Sequence, residues 1–294
     1  MADQTQRAVQ RGLMRIQKAN LLAHFLYDHL AGKVRNPLHA RIFSELSESE
    51  FKNYRLFVAH SGIESKRPSL LLRAFAILRV LFGLTFVVKL VERGERRAEL
   101  AYQTDPLRER YAKDIDQMQR DSGVHEQTLI ALIDEKRLNY LGSVVLGLND
   151  ALVELTGALA GLTFAFQDTR LIALTGLITG IAASFSMGSS EYLSQKMEEL
   201  EGALTSAVYT FLSYLITVAV LITPFLLLTN PYAALAITLT LALAVIALFS
   251  FYISIVKEYS FSRRFGGMAT VSLGVAGLSF VVGVAVKLVL GVDV

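Results

Sequence analysis

The sequence predicts an all-α chain in two parts, a helical water-exposed part at residues 1–140 and a five-span membrane domain at residues 141–294. Charge distribution is the first reason. The first part holds 23 Lys and Arg, 17 Asp and Glu and all five His, whereas the second holds six Lys and Arg and nine Asp and Glu. Helical spacing of apolar residues is the second. Intrinsic disorder and a uniform soluble globule are thereby excluded, and the lack of cysteine excludes a disulfide scaffold and a cysteine nucleophile.

The evidence for membrane spans is three uncharged runs, at residues 171–190, 202–256 and 265–286. A spanning helix needs roughly 20 mostly apolar residues, because about 30 Å of hydrocarbon is crossed at about 1.5 Å per residue. The longest run therefore has room for two spans. We expect spans near 142–166, 171–195, 203–228, 232–256 and 267–290. Turns are expected at Asn230-Pro231 and, before the last span, at 263–267.

Basic residues in the short loops predict the orientation of the spans. The loops on the side of residues 1–140 hold Lys196, Lys257, Arg263 and Arg264. The opposite side has Arg170, with Lys287 near the far end of the last span. Because basic residues favour the cytoplasmic side, residues 1–140 are predicted to be cytoplasmic and Val294 extracytoplasmic.

Four side chains in the first two spans are candidate ion ligands, namely Asp150, Glu154, Met187 and Glu191. Ionisable groups inside a membrane are costly and point to function. Each pair, Asp150 with Glu154 and Met187 with Glu191, is spaced i, i+4 and shares a helix face. Asp150 and Met187 each lie about 14 Å from the cytoplasmic end at 1.5 Å per residue, so antiparallel spans should bring them to one level.

Carboxylates suit hard divalent cations, and a thioether adds affinity for softer metals. Fe²⁺ is therefore the expected ion, with Mn²⁺, Co²⁺ and Zn²⁺ as alternatives, and carboxylates could exchange protons for metal. No organic cofactor is expected. At the cytoplasmic mouth, Met197, Glu198 and Glu201 follow the second span. The competing hypothesis is that Asp150 and Glu191 lie among lipid headgroups and that Met187 only fills the core.

Two stretches carry a resemblance to a known family, GSVVLGLNDALVELTGALAGLTFAF (142–166) and GLITGIAASFSMGSSEYLSQKMEE (176–199). They resemble the first two spans of the vacuolar iron transporter family, and the five-span count agrees. The resemblance implies a homodimer that exports Fe²⁺ from the cytosol in exchange for protons, with ions passing between the first spans of the two copies. It matches Asp150 and Met187 to the in-membrane ligands, and Glu154 and Glu191 to neighbouring carboxylates. Plant members carry a long metal-collecting insert after the second span, which is short here.

The first 140 residues are predicted to form four helices, near 5–32, 36–62, 69–103 and 106–139. Prolines fall near three of the starts, at Pro37, Pro68 and Pro106. Segment 70–91 is unusually apolar but is interrupted by basic residues. We expect it to be a core helix of the bundle, or else an amphipathic helix on the membrane surface.

Three further stretches, KANLLAHFLYDHLA, GLTFVVKLVERGERRAELAY and HEQTLIALIDEKRLNYLGS, resemble the erythrin (rubrerythrin-like) domain that is fused to iron transporters in prokaryotes. The resemblance implies a cytoplasmic ferritin-like four-helix bundle at a prokaryotic inner membrane. Its di-metal centre is degenerate, because Asn53 and Ser122 stand where His and Glu are expected and the first helix offers Asn20 or Ala23 instead of Glu. The candidates for one residual metal are Glu50, Glu92, Glu95 and His125. A bundle without metal is the preferred alternative.

The predicted function is export of a divalent metal by a transporter, not an enzyme. Two alternatives stay open: a membrane-anchored ferroxidase or peroxide-reacting enzyme, and a metal-responsive membrane scaffold. The sequence has no phosphate-binding loop of the P-loop type, which argues against ATP-driven transport. The expected partners are the lipid membrane and a second copy of the chain. Nucleic acid is not expected, because attraction to anionic lipid explains the basic first part more simply.

Overall fold

A computed structural model of the chain describes the backbone of residues 2–102, 106–132 and 135–290. Within these ranges, the structure describes only the backbone of residues 2–5, 81, 95, 97–102, 106, 124–132, 135–139, 286, 287, 289 and 290. The chain divides into two compact units, Met1–Asp134 and Glu135–Val294. The helices are α1 (Ala2–Ala31), α2 (Pro37–Ser61), α3 (Ser69–Tyr102), α4 (Pro106–Leu132), α5 (Glu135–Phe166), α6 (Thr169–Met197), α7 (Ala203–Leu227), α8 (Pro231–Val256) and α9 (Phe261–Leu290).

The first unit contains the four predicted helices, with α1 in contact with α2, α3 and α4. Proline directs the helix starts as expected: α2 and α4 begin at a proline, and α3 begins directly after one. Asn36 caps α2, its side chain accepting a hydrogen bond of 2.9 Å from the backbone nitrogen of Leu38. The fourth helix ends at Leu132, shorter than predicted. The ferritin-like arrangement of the four helices stays a prediction.

Helix α3 is interrupted by a kink at Gly83, whose φ of 85° and ψ of 176° are not helical. A left-handed φ of this kind favours glycine, which lacks a Cβ. After the kink, Phe86, Val87 and Val88 are buried in the bundle. Before the kink, none of the described residues in 69–82 is buried. The apolar segment 70–91 is therefore a core helix only in its second half.

The second unit contains five described helices, α5 to α9, that are long and apolar enough to cross a membrane. The predicted number of spans is confirmed, and the turn at Asn230-Pro231 is found between α7 and α8. Helix α5 is central, because it contacts all four other helices of the unit. The buried core joins apolar side chains of α5 to those of its neighbours, for example Leu155 and Leu159 of α5 with Val218 and Phe225 of α7.

The predicted turn at 263–267 is wrong. Helix α8 ends at Val256 and α9 begins at Phe261, so Arg263 and Arg264 lie in the first turn of α9. The chain turns instead at Lys257–Ser260, where Glu258 has a φ of 58°. Long basic side chains are compatible with a helix end at a membrane surface, since they can reach the headgroups while their stems stay on the helix.

Small residues allow α5 and α9 to approach closely. A Cβ built on Gly283 of α9 would lie 2.6 Å from the backbone oxygen of Gly161 of α5. A Cβ on Gly161 would in turn lie 3.2 Å from the backbone oxygen of Ser279. These contacts involve backbone atoms that cannot rotate away. The two helices therefore touch at a point where only glycine fits.

We expect Gly283→Ala to destabilise the second unit by about 1–3 kcal/mol, since the added methyl group must push the two helix backbones apart. The measurement is the thermal unfolding midpoint of the purified full chain in detergent. Gly277→Ala is the matched control on the same helix, because a Cβ there meets no described atom within 4 Å. An equal midpoint for both variants would contradict the close approach of α5 and α9.

Candidate functional site

One line of residues on α5 remains open in the folded unit. We call it the α5 stripe and define it as Gly142, Leu146, Asp150, Glu154 and Ala158, spaced four residues apart. Leu146 is 44% exposed, Glu154 is exposed and Asp150 is half-buried. A carboxylate that faced lipid near the centre of a span would cost about 2.5–3.5 kcal/mol. The α5 stripe is therefore expected to face water or protein.

A groove of about 420 Å³ runs along the N-terminal half of this stripe. Its described lining includes Gly142, Leu146, Asn149 and Asp150, and every described lining residue belongs to α5. One helix supplies only one wall of a groove. The carboxylate of Asp150 lies on this wall.

Glu154 is held by a tyrosine. The hydroxyl group of Tyr214, on α7, donates a hydrogen bond of 2.6 Å to Oε2 of Glu154. Tyr214 itself is fully buried. The two residues lie at the edge of a cavity of about 500 Å³, whose other walls include small residues such as Gly157, Ala158 and Gly180. A charge-assisted hydrogen bond of this length fixes the direction of the carboxylate.

Glu191 lies buried between helices of the second unit. It is 9% exposed. The hydroxyl of Ser143, on α5, donates a hydrogen bond of 2.7 Å to its Oε1, and the side-chain nitrogen of Gln195 donates another of 3.2 Å. The carboxylate is thus engaged between α5 and α6, and its part as an ion ligand stays a prediction.

The hydrogen bond between Ser143 and Glu191 also gives the register of α5 against α6. Two residues connect these helices, so they run antiparallel, and counting from the bonded pair puts Met187 level with Gly147. Asp150 then lies three residues, or about 4.5 Å, further along the axis than Met187. The two predicted ligands are within one turn of each other in depth, although not at the same level.

Met187 is half-buried and packs against the apolar core of the unit. A neighbouring glycine, Gly188, lets α6 approach α7, since a Cβ there would lie 3.1 Å from the Cβ of Phe211. Core packing and metal binding are both compatible with a half-buried thioether.

The link after α6 is short and polar. Helix α6 ends at Met197, which is 85% exposed, and α7 begins at Ala203. Glu198 and Glu201 are both exposed in this link. Their proposed role as metal collectors at the mouth therefore requires no rearrangement to make them accessible.

The first unit has a polar interior. Asn20, Asn53, Glu50 and Glu92 are all buried. Glu92 is engaged by cations, with Lys89 at 2.9 Å from its Oε2 and Arg96 at 2.7 Å from its Oε1. Among the described side chains, no group of three or more His, Asp or Glu is placed to hold a metal ion.

The donor set that is described does not fit a di-metal centre. Asn20 and Asn53 contribute neutral amides to this interior, and the side-chain nitrogen of Asn53 is a buried donor without a hydrogen-bond partner among the described atoms. A donor of this kind repels a cation. The predicted ligands Glu95 and His125 lie outside the described side chains, so their part in a residual metal site stays a prediction.

Two residues of the site were missed by sequence reasoning. Tyr214 is one of 11 tyrosines, and nothing in the sequence distinguishes it from the others. Ser143 lies at the predicted start of the first span and is one of many serines. A polar side chain on a membrane helix is a weak signal by itself, because its partner on another helix is known only once the helices are packed.

The first two spans match a family model described as the VIT family, over residues 141–201. This segment is about a fifth of the chain and contains the four predicted in-membrane ligands and the link after α6. No curated protein and no solved structure shows significant similarity to the chain. The match and the five apolar helices together support a membrane transporter of the VIT type.

Proposed function

We propose that the chain is a membrane transporter that exports a divalent metal ion from the cytoplasm, with Fe²⁺ as the main substrate and Mn²⁺ as a second. One observation carries the proposal: the α5 stripe presents two carboxylates within a candidate span, and this span lies in the segment that matches the VIT family. Protons are proposed as the counter-ion, because carboxylates can bind either a proton or a metal.

The transporter is proposed to be a homodimer. Supporting this, the groove beside Asp150 has walls from α5 alone among its described residues. A second copy related by a two-fold axis would bring the same stripe against itself, which is how a symmetric dimer forms. The carboxylates would then line a path between two α5 helices and avoid the lipid.

Each ligand has a proposed part in this path, and that of Glu191, held by Ser143, is to receive the ion at the cytoplasmic end. Met197, Glu198 and Glu201 collect the ion at the cytoplasmic side. Asp150 and Met187 bind the ion after it has lost part of its hydration shell. The carboxylate attracts it through its negative charge, and the thioether sulfur adds affinity for the softer metal ions. Glu154, held by Tyr214, takes the ion or releases a proton further along the stripe.

The experiment is a flux assay in proteoliposomes with Fe²⁺, Mn²⁺, Co²⁺ and Zn²⁺, each with and without a pH gradient. The proposal expects Fe²⁺ flux into proteoliposomes that a pH gradient accelerates. Liposomes that lack the protein should show no such flux. Flux for none of the four ions would overturn it. Oxygen consumption with Fe²⁺ in the absence of flux would favour the membrane-anchored ferroxidase instead, and metal binding without either activity would favour the scaffold.

A further inference from the structure

The first half of α3 is an apolar helix segment that the bundle does not cover. We call Ser69–Phe82 the α3 arm. Leu70 is 79% exposed, Ile77 59% and Val80 78%. On a helix of 3.6 residues per turn these three positions lie on one side, and the exposed residues Arg73 and Ala74 fall beside them. Exposed apolar residues in such a contiguous row mark an interaction surface.

The arm is also positively charged. From Ser65 to Phe82 the chain has four basic residues, Lys66, Arg67, Arg73 and Arg79, and no acidic residue. An apolar face flanked by Lys and Arg is the composition of helices that lie in the interface of anionic membranes. Each basic residue near such a surface adds to the attraction.

A basic pocket of about 370 Å³ lies where the arm meets α1. Arg67 and Arg73 line it together with His29, and Phe25 and Leu72 supply apolar walls. The carboxylate of Asp28 also lines it. The guanidinium of Arg67 lies 4.4 Å from the ring centroid of Phe25, so a cation–π contact holds this side chain at the pocket.

The first residue of α3, Ser69, lines the same pocket. A helix N-terminus carries partial positive charge from its backbone N–H groups. Two guanidinium groups and a helix N-terminus together suit a phosphate group, because guanidinium binds phosphate oxygens in pairs. The apolar walls suit the upper part of an acyl chain.

We propose that the α3 arm docks on the membrane surface, with Ile77 and its exposed apolar neighbours in the interface and an anionic phospholipid headgroup in the pocket of Arg67 and Arg73. The bilayer is the occupant that the positive charge favours over a second, equally basic copy of the arm. The same chain also carries the five candidate membrane spans of α5 to α9. The proposal does not depend on which ion is transported.

The kink at Gly83 gives the arm a direction different from that of the rest of α3. The kink at this residue separates the exposed arm from the buried second half of α3. The arm can thus follow the membrane plane while Phe86 and Val87 stay in the bundle core. Without the kink, the arm would have to share the helix axis of the buried second half of α3.

The chain contains no tryptophan, so the fluorescence of a single introduced tryptophan reports on the surroundings of that residue. We expect the fluorescence of full-length Ile77→Trp, in nanodiscs of phosphatidylcholine and phosphatidylglycerol, to fall at least about twofold when the lipids carry brominated acyl chains. The matched control is Phe51→Trp, an exposed aromatic position on α2, which should not be quenched. The double variant Ile77→Trp with Arg73→Glu should be quenched less than Ile77→Trp alone, at a level closer to that of Phe51→Trp.

Three results would overturn the proposal. Equal quenching of the two tryptophan variants would mean that the contact is not specific to the arm. Equal quenching of Ile77→Trp in phosphatidylcholine alone would exclude recognition of an anionic headgroup. A blue-shifted emission without quenching would mean that protein, such as a second copy, covers the arm. Because Ile77 is exposed, its substitution should leave the fold intact, and the unfolding midpoint of the variant checks this.

Discussion

Replacing Asp150 by Asn is expected to reduce metal flux in proteoliposomes on the order of 100-fold, at unchanged protein stability. The substitution keeps the size of the side chain and removes its charge. An amide oxygen cannot neutralise a cation that has lost part of its hydration shell inside the membrane, so ion binding at this position of the α5 stripe weakens. The measurement is initial Fe²⁺ flux, with the unfolding midpoint in detergent as the stability check.

Asp168→Asn is the matched control for this prediction. Asp168 lies in the turn before α6, where its Oδ1 accepts hydrogen bonds of 2.8 and 2.9 Å from the backbone nitrogens of Arg170 and Leu171. Asn is an equally good N-cap, so this variant should transport normally. If Asp150→Asn keeps the flux of the Asp168→Asn variant, the ligand assignment of Asp150 is wrong.

Met187→Leu is expected to change the choice of metal. Leucine fills nearly the same volume, so packing against the core is kept and only the sulfur is lost. We expect Fe²⁺ and Co²⁺ flux to fall about tenfold while Mn²⁺ flux changes little, because a thioether contributes most to the softer ions. The measurement is the flux of each ion under identical gradients.

Met268→Leu is the control that tests whether replacing any methionine of the second unit would change the metal preference. Met268 is also partly buried against the core, and its sulfur lies 3.9 Å from the hydroxyl of Ser250, which donates to it. Transport in this variant should keep the metal preference of the unchanged protein. An equal fall in the flux of Fe²⁺, Mn²⁺, Co²⁺ and Zn²⁺ in Met187→Leu would instead indicate that Met187 contributes only to packing.

The helices could be predicted because their signals are local. Uncharged runs of spanning length indicate α6 to α8, and Pro37, Pro106 and Pro231 mark helix starts through their fixed φ and missing N–H. The start of α9 was misplaced for a physical reason. Arg263 and Arg264 were interpreted as turn residues, although long basic side chains are equally stable on a helix end at the membrane surface.

The site could be predicted only as a set of residue types in two spans. The i, i+4 spacing of Asp150 and Glu154 correctly placed them on one face of α5. The hydrogen bonds that hold the acidic residues come from other helices, from Tyr214 to Glu154 and from Ser143 to Glu191. These depend on helix packing and register, which short sequence motifs do not encode.

The kink at Gly83 shows the same limit. Hydropathy alone describes segment 70–91 as one apolar helix, and the sequence allowed either a core helix or a surface helix. A single glycine with positive φ divides the segment: the second half is a core helix, and the first half is an exposed helix whose membrane contact stays a proposal.

The central claim is that ions cross the membrane along the α5 stripe, between two copies of the chain. Leu146→Cys tests it most directly, because the chain has no other cysteine and Leu146 is an exposed member of the stripe. The account predicts that a charged thiol reagent stops Fe²⁺ flux in this variant and that mild oxidation links two copies by a disulfide. Leu248→Cys, on the exposed side of α8, is the control and should keep its flux under the same treatment. Undiminished flux in modified Leu146→Cys, with no disulfide between copies, would contradict the account.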